Sequence, residues 1–187
     1  MHDPRLRDTF LASESSKYLY LTVPYLVGNG VDIGSGGWPM VPWAIQVELP
    51  ADKFKHYTNG REVPSGVEWL GDIAELPFKD GVLDFVHSSH LIEDYDDWRP
   101  ILAEWDRVLK PGGYMIISVP DHERFRAYVE RGKAAGVDCD NLGHHHESYV
   151  GELTKWLLPL RYTPLLDRFV SENPQEYSII GAFRKNV

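Results

Sequence analysis

Short runs of apolar and β-branched residues recur along the chain and alternate with polar segments. Each run has the length of a typical strand and is bounded by turn-forming residues. The runs with this pattern occupy residues 30–33, 44–47, 67–70, 83–87, 114–119, 165–170 and 177–184. The sequence therefore predicts seven strands.

The clearest helix lies between the fourth and fifth predicted strands. Apolar residues recur there at helical spacing and form one stripe, which consists of Ile101, Leu102, Trp105, Val108 and Leu109. Asp96 or Asp97 is a suitable N-cap, and Pro100 is compatible with a first helical turn. Residues 110–113, with the sequence KPGG, predict a stop and a turn. Further helices are predicted over residues 8–26, where Pro24 ends or kinks the helix, and over 123–135 and 150–158.

Strands that alternate with helices indicate an α/β fold with a mainly parallel seven-stranded sheet and helices on both faces. A length of 187 residues fits a single domain. We expect an N-terminal helical segment at 1–27, a core at 28–120, and further helices with the last two strands at 121–187. Ligands of such sheets bind beyond the carboxyl ends of the strands.

Charge is distributed unevenly along the chain. The formal net charge is -9, and residues 68–106 account for it, with eleven acidic residues against Lys79 and Arg99. An acidic band repels phosphate backbones, so no nucleic-acid partner is expected. The chain has no apolar run of about 18 residues, so no membrane insertion is expected either. The single cysteine, Cys139, fits a reducing compartment, and we expect a cytoplasmic protein.

A glycine-rich turn follows the first predicted strand in the sequence VDIGSGG, residues 31–37. Glycines at such a position let the backbone approach a ligand closely. The dinucleotide pattern GxGxxG fails because Pro39 takes the place of the third glycine, and no Gly-Lys-Ser/Thr of a P-loop is present. The turn differs from both by Asp32, a carboxylate two residues before Gly34.

Carboxylates also follow the second and third predicted strands. Glu48 ends the second strand, where a carboxylate is able to accept hydrogen bonds from both ribose hydroxyls. Asp72 follows the third strand and is suited to accept from an adenine amino group, with Ile73 over the ring. The competing interpretation, which the residues leave open, is that Glu48 and Asp72 serve only as turn or cap carboxylates.

These motifs, in this order, resemble those of class I S-adenosylmethionine-dependent methyltransferases. They are Asp32-Ile33-Gly34-Ser35-Gly36, Glu48, Gly71-Asp72 with Leu76-Pro77-Phe78, Asp84-Phe85-Val86, and Leu109-Lys110-Pro111-Gly112-Gly113. The match covers residues 28–120 and is similar to the small type 11 methyltransferases. It implies a Rossmann-like methyltransferase fold, S-adenosylmethionine as cofactor and S-adenosylhomocysteine as product.

The resemblance also implies the residues of the cofactor site. The glycine turn would contact the methionine part of the cofactor, Glu48 the ribose, and Asp72 with Ile73 the adenine. Residues after the fourth strand would line the floor near the sulfonium. The whole set implied is Asp32, Gly34, Ser35, Gly36, Gly37, Glu48, Leu49, Asp72, Ile73, Ser88, Ser89 and His90.

The chain departs from the family pattern in the first crossover. Trp38 replaces the third glycine, and the segment that leads to the second strand is short and contains Pro39 and Pro42. A parallel crossover normally needs about a dozen residues and a helix. We therefore expect this helix to be reduced to a turn or loop, with an open pocket and modest cofactor affinity. This variant resembles methyltransferases of saccharide and cell-envelope pathways.

Methyl transfer from a sulfonium is an in-line displacement, in which holding the acceptor supplies most of the catalysis. An oxygen or amine acceptor also needs a base, and the candidate bases are His90, Asp121, His145 and His146. Adjacent histidines point in different directions, so His144–His146 do not have metal-binding spacing on a helix face, and no metal ligands are predicted. The alternative interpretation is that the histidines have no catalytic role and form a polar loop before the helix predicted over 150–158.

The acceptor predicted for such an enzyme is a small molecule or a saccharide, bound by a monomer or homodimer. A second hypothesis is a non-catalytic methyltransferase-fold protein that binds the cofactor or a protein partner, since the first crossover is altered. A third, a nicotinamide dehydrogenase, is disfavoured by Pro39.

Overall fold

A seven-stranded sheet forms the centre of the computed structural model, which describes residues 14–58, 60–137 and 144–187. The strands are β1 Gly30–Ile33, β2 Ile45–Glu48, β3 Trp69–Leu70, β4 Leu83–Ser89, β5 Leu109–Pro120, β6 Tyr162–Phe169 and β7 Ser178–Lys185. Their order is β3-β2-β1-β4-β5-β7-β6. β1 to β5 run parallel, and β7 is antiparallel to both of its neighbours. The predicted α/β class and mainly parallel sheet are confirmed.

Helices and helical turns connect the strands. The α-helices are α1 Leu19–Thr22, α2 Ala51–Tyr57, α3 Arg99–Val108, α4 His122–Ala134 and α5 Glu152–Leu157. Short 3-10 turns occupy Glu14–Tyr18, Val23–Tyr25, Ile92–Asp94 and Leu158–Leu160. In the part of the chain that the structure describes, no helix is long and apolar enough to cross a membrane.

Hydrophobic side chains form two clusters, one on each face of the sheet. Trp105 of α3 belongs to the first cluster together with Val86 and Met115. Tyr18 of the N-terminal segment belongs to the second, together with Phe85 and Ile116. Neighbouring residues of a strand point to opposite faces, so the pairs Phe85-Val86 in β4 and Met115-Ile116 in β5 contribute one side chain to each cluster. Both faces of the sheet are therefore covered.

The predicted helix before β5 is present and ends at Val108, as the KPGG sequence indicates. The turn predicted at residues 110–113 is wrong, because β5 already begins at Leu109. Gly112 adopts a φ of 81°, and the pairing with β4 shifts register between Leu83 and Phe85. The residues predicted as a turn therefore lie within β5, where the strand pairing is irregular.

The N-terminal and first-crossover predictions have different outcomes. The long helix predicted over 8–26 is broken into α1 and two 3-10 turns, and residues 8–13 lie outside the described residues. Between β1 and β2 the chain forms turns and bends without a helix, which confirms the expected loop. The sequence did not predict α2, since Phe54 is its one apolar side chain that the structure describes as buried.

Candidate cofactor and acceptor site

The glycine turn after β1 lies over the carboxyl end of the sheet and is tied to the next strand. The amide of Gly34 donates to the carbonyl of Val47 at 2.9 Å. Gly36 has a φ of 61° and has open space where a Cβ would stand. A Cβ on Gly37 would lie 2.5 Å from the Pro64 side chain. Gly37 therefore packs against the protein, whereas Gly36 faces unfilled space.

Glu48, at the end of β2, turns its carboxylate toward this glycine turn. Its Oε1 accepts from the amide of Gly36 at 2.5 Å, although the side chain is nearly buried. Burial raises the pKa of Glu48, and the charge of Asp32 adds to the increase. The structure thus brings together the predicted ribose-binding residue and the predicted methionine-binding turn.

Asp32 on β1 is held in a buried hydrogen-bond network. Nδ1 of His87 on β4 donates to Oδ1 of Asp32 at 2.7 Å, and the amide of Met40 donates to Oδ2 at 2.5 Å. The hydroxyl of Tyr18 lies 3.3 Å from Nε2 of His87. Sequence reasoning missed His87, because an isolated histidine in a predicted strand gives no sign of its partner. The network fixes the loop between β1 and β2 from beneath.

Asp72 and Ile73 follow β3 at the same edge of the sheet. Asp72 is exposed, and its Oδ1 accepts from the amide of Ala74 at 2.9 Å. Ile73 is buried in the first hydrophobic cluster, and its carbonyl accepts from Nε1 of Trp105 at 3.1 Å. Asp72 therefore stabilises a turn, and its role toward adenine stays a prediction, as does that of Ile73.

A cavity of about 440 Å³ opens beside Glu48 and the residue after it. Its lining consists of Leu49, Asp52, Lys53, His56, Leu91, Asp94 and Tyr95. Burial raises the pKa of Tyr95 to about 12, with further contributions from the charges of Asp72, Asp94 and Glu48. We name this space the cofactor-side cavity. Leu49 is the predicted cofactor residue found in its wall, and Tyr95 was not predicted.

The segment after β4 carries the predicted floor residues. Oγ of Ser88 donates to the carbonyl of Ile33 at 3.1 Å, and Ser89 ends the strand. His90 has a φ of 50°, and its Nε2 lies 2.9 Å from Oγ of Ser178. Its Nδ1 lies 3.5 Å from Oε1 of Glu93. Both ring nitrogens of His90 therefore face polar partners.

A second cavity, of about 300 Å³, lies beside the end of β5. Its lining consists of Pro120, His122, Phe125, Arg126, His144, His145, His146 and Glu147. Phe125 is half-buried and lines this cavity. Its ring lies 5.3 Å from that of Tyr177 and 4.6 Å from that of His144. We name this space the acceptor-side cavity.

The side chains of the other candidate bases make hydrogen bonds that hold the structure around the acceptor-side cavity. Asp121 is buried and caps α4, since its side chain accepts from the amide of Arg124 at 3.0 Å. Nδ1 of His145 is bonded to Oδ1 of Asp96, and Nε2 of His146 donates to the carbonyl of Tyr95 at 2.6 Å. Their roles as bases stay predictions.

Comparison with known proteins finds a domain family that matches the middle of the chain. Residues 32–117 match the methyltransferase domain family model. A demethylmenaquinone methyltransferase from Mycolicibacterium vanbaalenii is 31% identical over 122 residues, which is 64% of this chain and 50% of that protein. The chain spans half or less of the length of the curated relatives it matches.

Solved structures of methyltransferases share the fold. An S-adenosylmethionine-dependent methyltransferase from Thermotoga maritima has a TM-score of 0.63 at 24% identity, covering 98% of this chain and 94% of its own. The 1,6-didemethyltoxoflavin-N1-methyltransferase of Burkholderia thailandensis, solved with S-adenosylhomocysteine, has a TM-score of 0.62 at 16% identity. That match covers 97% of this chain and 82% of the other.

The family model, the sheet order and the ordered motifs agree. Residues 32–117 match a methyltransferase domain, as the motifs resembling those of class I S-adenosylmethionine-dependent methyltransferases predict, and the chain shares the fold of solved methyltransferases. S-adenosylmethionine is the cofactor of that class.

Proposed function

We propose that this chain transfers a methyl group from S-adenosylmethionine to a small-molecule acceptor, with saccharides among the candidates. One observation carries the proposal: the two cavities approach each other at the carboxyl edge of the sheet. Asp94 lines the cofactor-side cavity and His144 lines the acceptor-side cavity, and Oδ1 of Asp94 lies 3.9 Å from Nε2 of His144. A donor and an acceptor bound in the two spaces would therefore be neighbours.

The residues of the cofactor side fit S-adenosylmethionine. The open space over Gly36 is a cradle that a Cβ would fill, and the Glu48 carboxylate beside it is suited to hold ribose hydroxyls. Leu49 supplies an apolar wall, and the exposed Asp72 is available to an amino group. The carboxylates at this edge also favour a sulfonium cation electrostatically.

The bound cofactor supplies an electrophilic methyl group on a positively charged sulfur. The protein's contribution is mainly to position and shield the reactants. The network of Asp32 and His87 holds the loop that frames the cofactor, because the amide of Met40 is bonded to Asp32. Phe125 presents its aromatic ring to the acceptor side, where it excludes water, and the ring of Tyr177 packs against that of Phe125. His90 lies at the floor with its ring fixed by Ser178.

The acceptor-side cavity limits the size and charge of the acceptor. A volume of about 300 Å³ is at the lower end of the range for small-molecule sites. Arg126 contributes a permanent positive charge to a lining whose other titratable side chains are histidines and Glu147. This composition favours a small acceptor that carries a carboxylate or phosphate beside its hydroxyl or amine.

The test is acceptor-dependent turnover. Purified protein with S-adenosylmethionine is incubated with pools of small hydroxyl and amine compounds, including sugar acids and sugar phosphates, and S-adenosylhomocysteine is quantified by mass spectrometry. A Glu48→Gln variant controls for contaminating activity. Product formation that depends on both the acceptor and Glu48 supports the proposal. Binding of the cofactor without turnover on any pool favours a non-catalytic protein of the same fold.

A further inference from the structure

A buried carboxylate lies in the wall between the two cavities. Glu93 belongs to the 3-10 turn Ile92–Asp94, which follows β4, and its side chain is fully buried. Within the described part of the chain, neither of its carboxylate oxygens makes a hydrogen bond, although two imidazole nitrogens lie near Oε1, Nδ1 of His90 at 3.5 Å and Nε2 of His144 at 4.0 Å. Removing a carboxylate from water without hydrogen bonds is costly unless a cation compensates for the lost hydration. The carboxylate of Glu93 therefore points to a ligand.

Metal-binding atoms surround this carboxylate. One donor atom from each of Glu93, Asp94 and His144 lies within 4.8 Å of both others. Nε2 of His144 is 4.0 Å from Oε1 of Glu93 and 3.9 Å from Oδ1 of Asp94. Ligand atoms on a four-coordinate zinc ion are about 3.3 Å apart, given metal–ligand distances of about 2.0 Å. A small contraction of side chains would therefore complete a metal site.

The backbone fixes which histidine of the loop points toward the cluster. The carbonyl of Glu93 accepts from the amides of His145 and His146 at 2.8 and 3.3 Å, so the loop is fastened to the turn. The ring of His145 is bonded to Asp96, and the ring of His146 to the carbonyl of Tyr95. Of these three described histidines, His144 is the one whose ring nitrogen lies near the carboxylates of both Glu93 and Asp94. The arrangement is thus more specific than a run of adjacent histidines.

We propose that Glu93, Asp94 and His144 bind one divalent transition-metal ion. Two carboxylates and an imidazole suit ions such as Zn²⁺, Mn²⁺ or Co²⁺, whereas Mg²⁺ and Ca²⁺ prefer sites made of oxygen alone. Three protein ligands leave at least one coordination position for another molecule. Because His144 lines the acceptor-side cavity, that position is available to an oxygen or nitrogen atom of a molecule bound there.

Metal titration of purified, chelator-treated protein tests the site directly and needs no acceptor. Zn²⁺ binding is measured by calorimetry, and Co²⁺ binding by its visible absorption, which reports imidazole and carboxylate ligation. We expect one equivalent per chain, with Mg²⁺ binding much more weakly. His144→Ala and Glu93→Gln should each weaken Zn²⁺ binding by at least about 100-fold, since loss of a direct ligand exceeds the effect of an outer contact.

His145→Ala is the matched control, because it removes a neighbouring histidine whose ring is bonded to Asp96. This variant should keep the wild-type stoichiometry and affinity. Circular dichroism of the metal-free variants checks folding. If Glu93→Gln does not fold, the Zn²⁺ affinity of His144→Ala alone decides the test. The proposal is overturned if Zn²⁺ is not taken up, if His144→Ala binds as the wild type does, or if His145→Ala loses as much affinity as His144→Ala. The last outcome would mean adventitious capture by the histidine loop.

Discussion

Asp32 and His87 form a buried hydrogen bond of 2.7 Å between β1 and β4, directly beneath the glycine turn. Asp32 also accepts a hydrogen bond from the amide of Met40, which lies in the loop that replaces the first crossover helix. In a chain without that helix, this carboxylate organises the loop from below. The motif aspartate therefore has a structural role in addition to any contact with the cofactor.

Replacing Asp32 should destabilise the protein strongly. Asp32→Ala leaves the amide of Met40 and the ring of His87 without their partner in a buried place, which costs about 3 kcal/mol. Asp72→Ala is the control, because the exposed Asp72 stabilises only a local turn and should cost less than about 1 kcal/mol. Urea denaturation of both variants measures the difference. Equal losses of unfolding free energy would contradict this role for Asp32.

Alanine substitutions at two neighbouring glycines should have different effects. Gly36→Ala puts a methyl group into open space at a φ of 61°, so it should cost only about 1 kcal/mol of stability while weakening S-adenosylhomocysteine binding at least tenfold. Gly37→Ala drives a Cβ against Pro64 and should lower the melting temperature further. Thermal unfolding and ligand titration separate the two. Unchanged ligand affinity in Gly36→Ala would show that the cofactor does not occupy this space.

The stability contributed by Glu48 should depend on pH. Burial raises its pKa in the folded protein above the usual value of 4.5, so the folded state binds the proton more tightly than the unfolded state. That stabilisation is fully present below pH 4.5 and is lost as the pH rises through the raised pKa. Relative to Glu48→Gln, the wild type should therefore lose unfolding free energy from about pH 4 upward. A difference that does not change with pH contradicts the burial of this carboxylate.

Glu48→Gln should also weaken S-adenosylhomocysteine binding at neutral pH. A hydrogen bond to a charged group contributes about 1.5–3 kcal/mol, which corresponds to roughly 10- to 100-fold in affinity. Calorimetric titration measures this loss. An affinity equal to that of the wild type would indicate that Glu48 accepts a hydrogen bond from the amide of Gly36 but does not bind the cofactor.

Arg126 should determine how well an anionic acceptor binds. Arg126→Ala is expected to raise KM about tenfold and leave kcat nearly unchanged, because an exposed guanidinium at the cavity wall contributes to binding rather than to the reacting atoms. Arg131→Ala removes the same charge farther along α4 and should leave both constants unchanged. Steady-state kinetics with an acceptor from the turnover screen provide the measurement. Equal effects of the two substitutions on KM would show that Arg126 does not contact the acceptor directly.

The sequence predicted the elements that have a strong hydrophobic periodicity or are bounded by turn-forming residues. β1 begins and ends at the predicted residues, and α3 follows from its apolar stripe. The missing helix between β1 and β2 followed from the short, proline-containing crossover. In contrast, α2 was not predicted, because Phe54 alone gives no helical periodicity.

Contacts between distant residues limited the prediction of the site. His87 gave no signal by itself, because its role arises from pairing with Asp32 on another strand. His144 and Glu93 are distant in sequence, and only the folded backbone brings the histidine loop against the 3-10 turn. Family resemblance supplied the cofactor residues, but it did not predict the contacts that bring His144 close to Glu93 and Asp94.

The central claim is that the carboxyl edge of this sheet binds S-adenosylmethionine, and calorimetric titration tests it most directly. The wild type should bind one equivalent of both S-adenosylmethionine and S-adenosylhomocysteine with modest affinity, Glu48→Gln should bind both more weakly, and NAD should give no heat of binding. Absence of binding for both sulfur ligands, or binding of NAD in their place, would contradict the account.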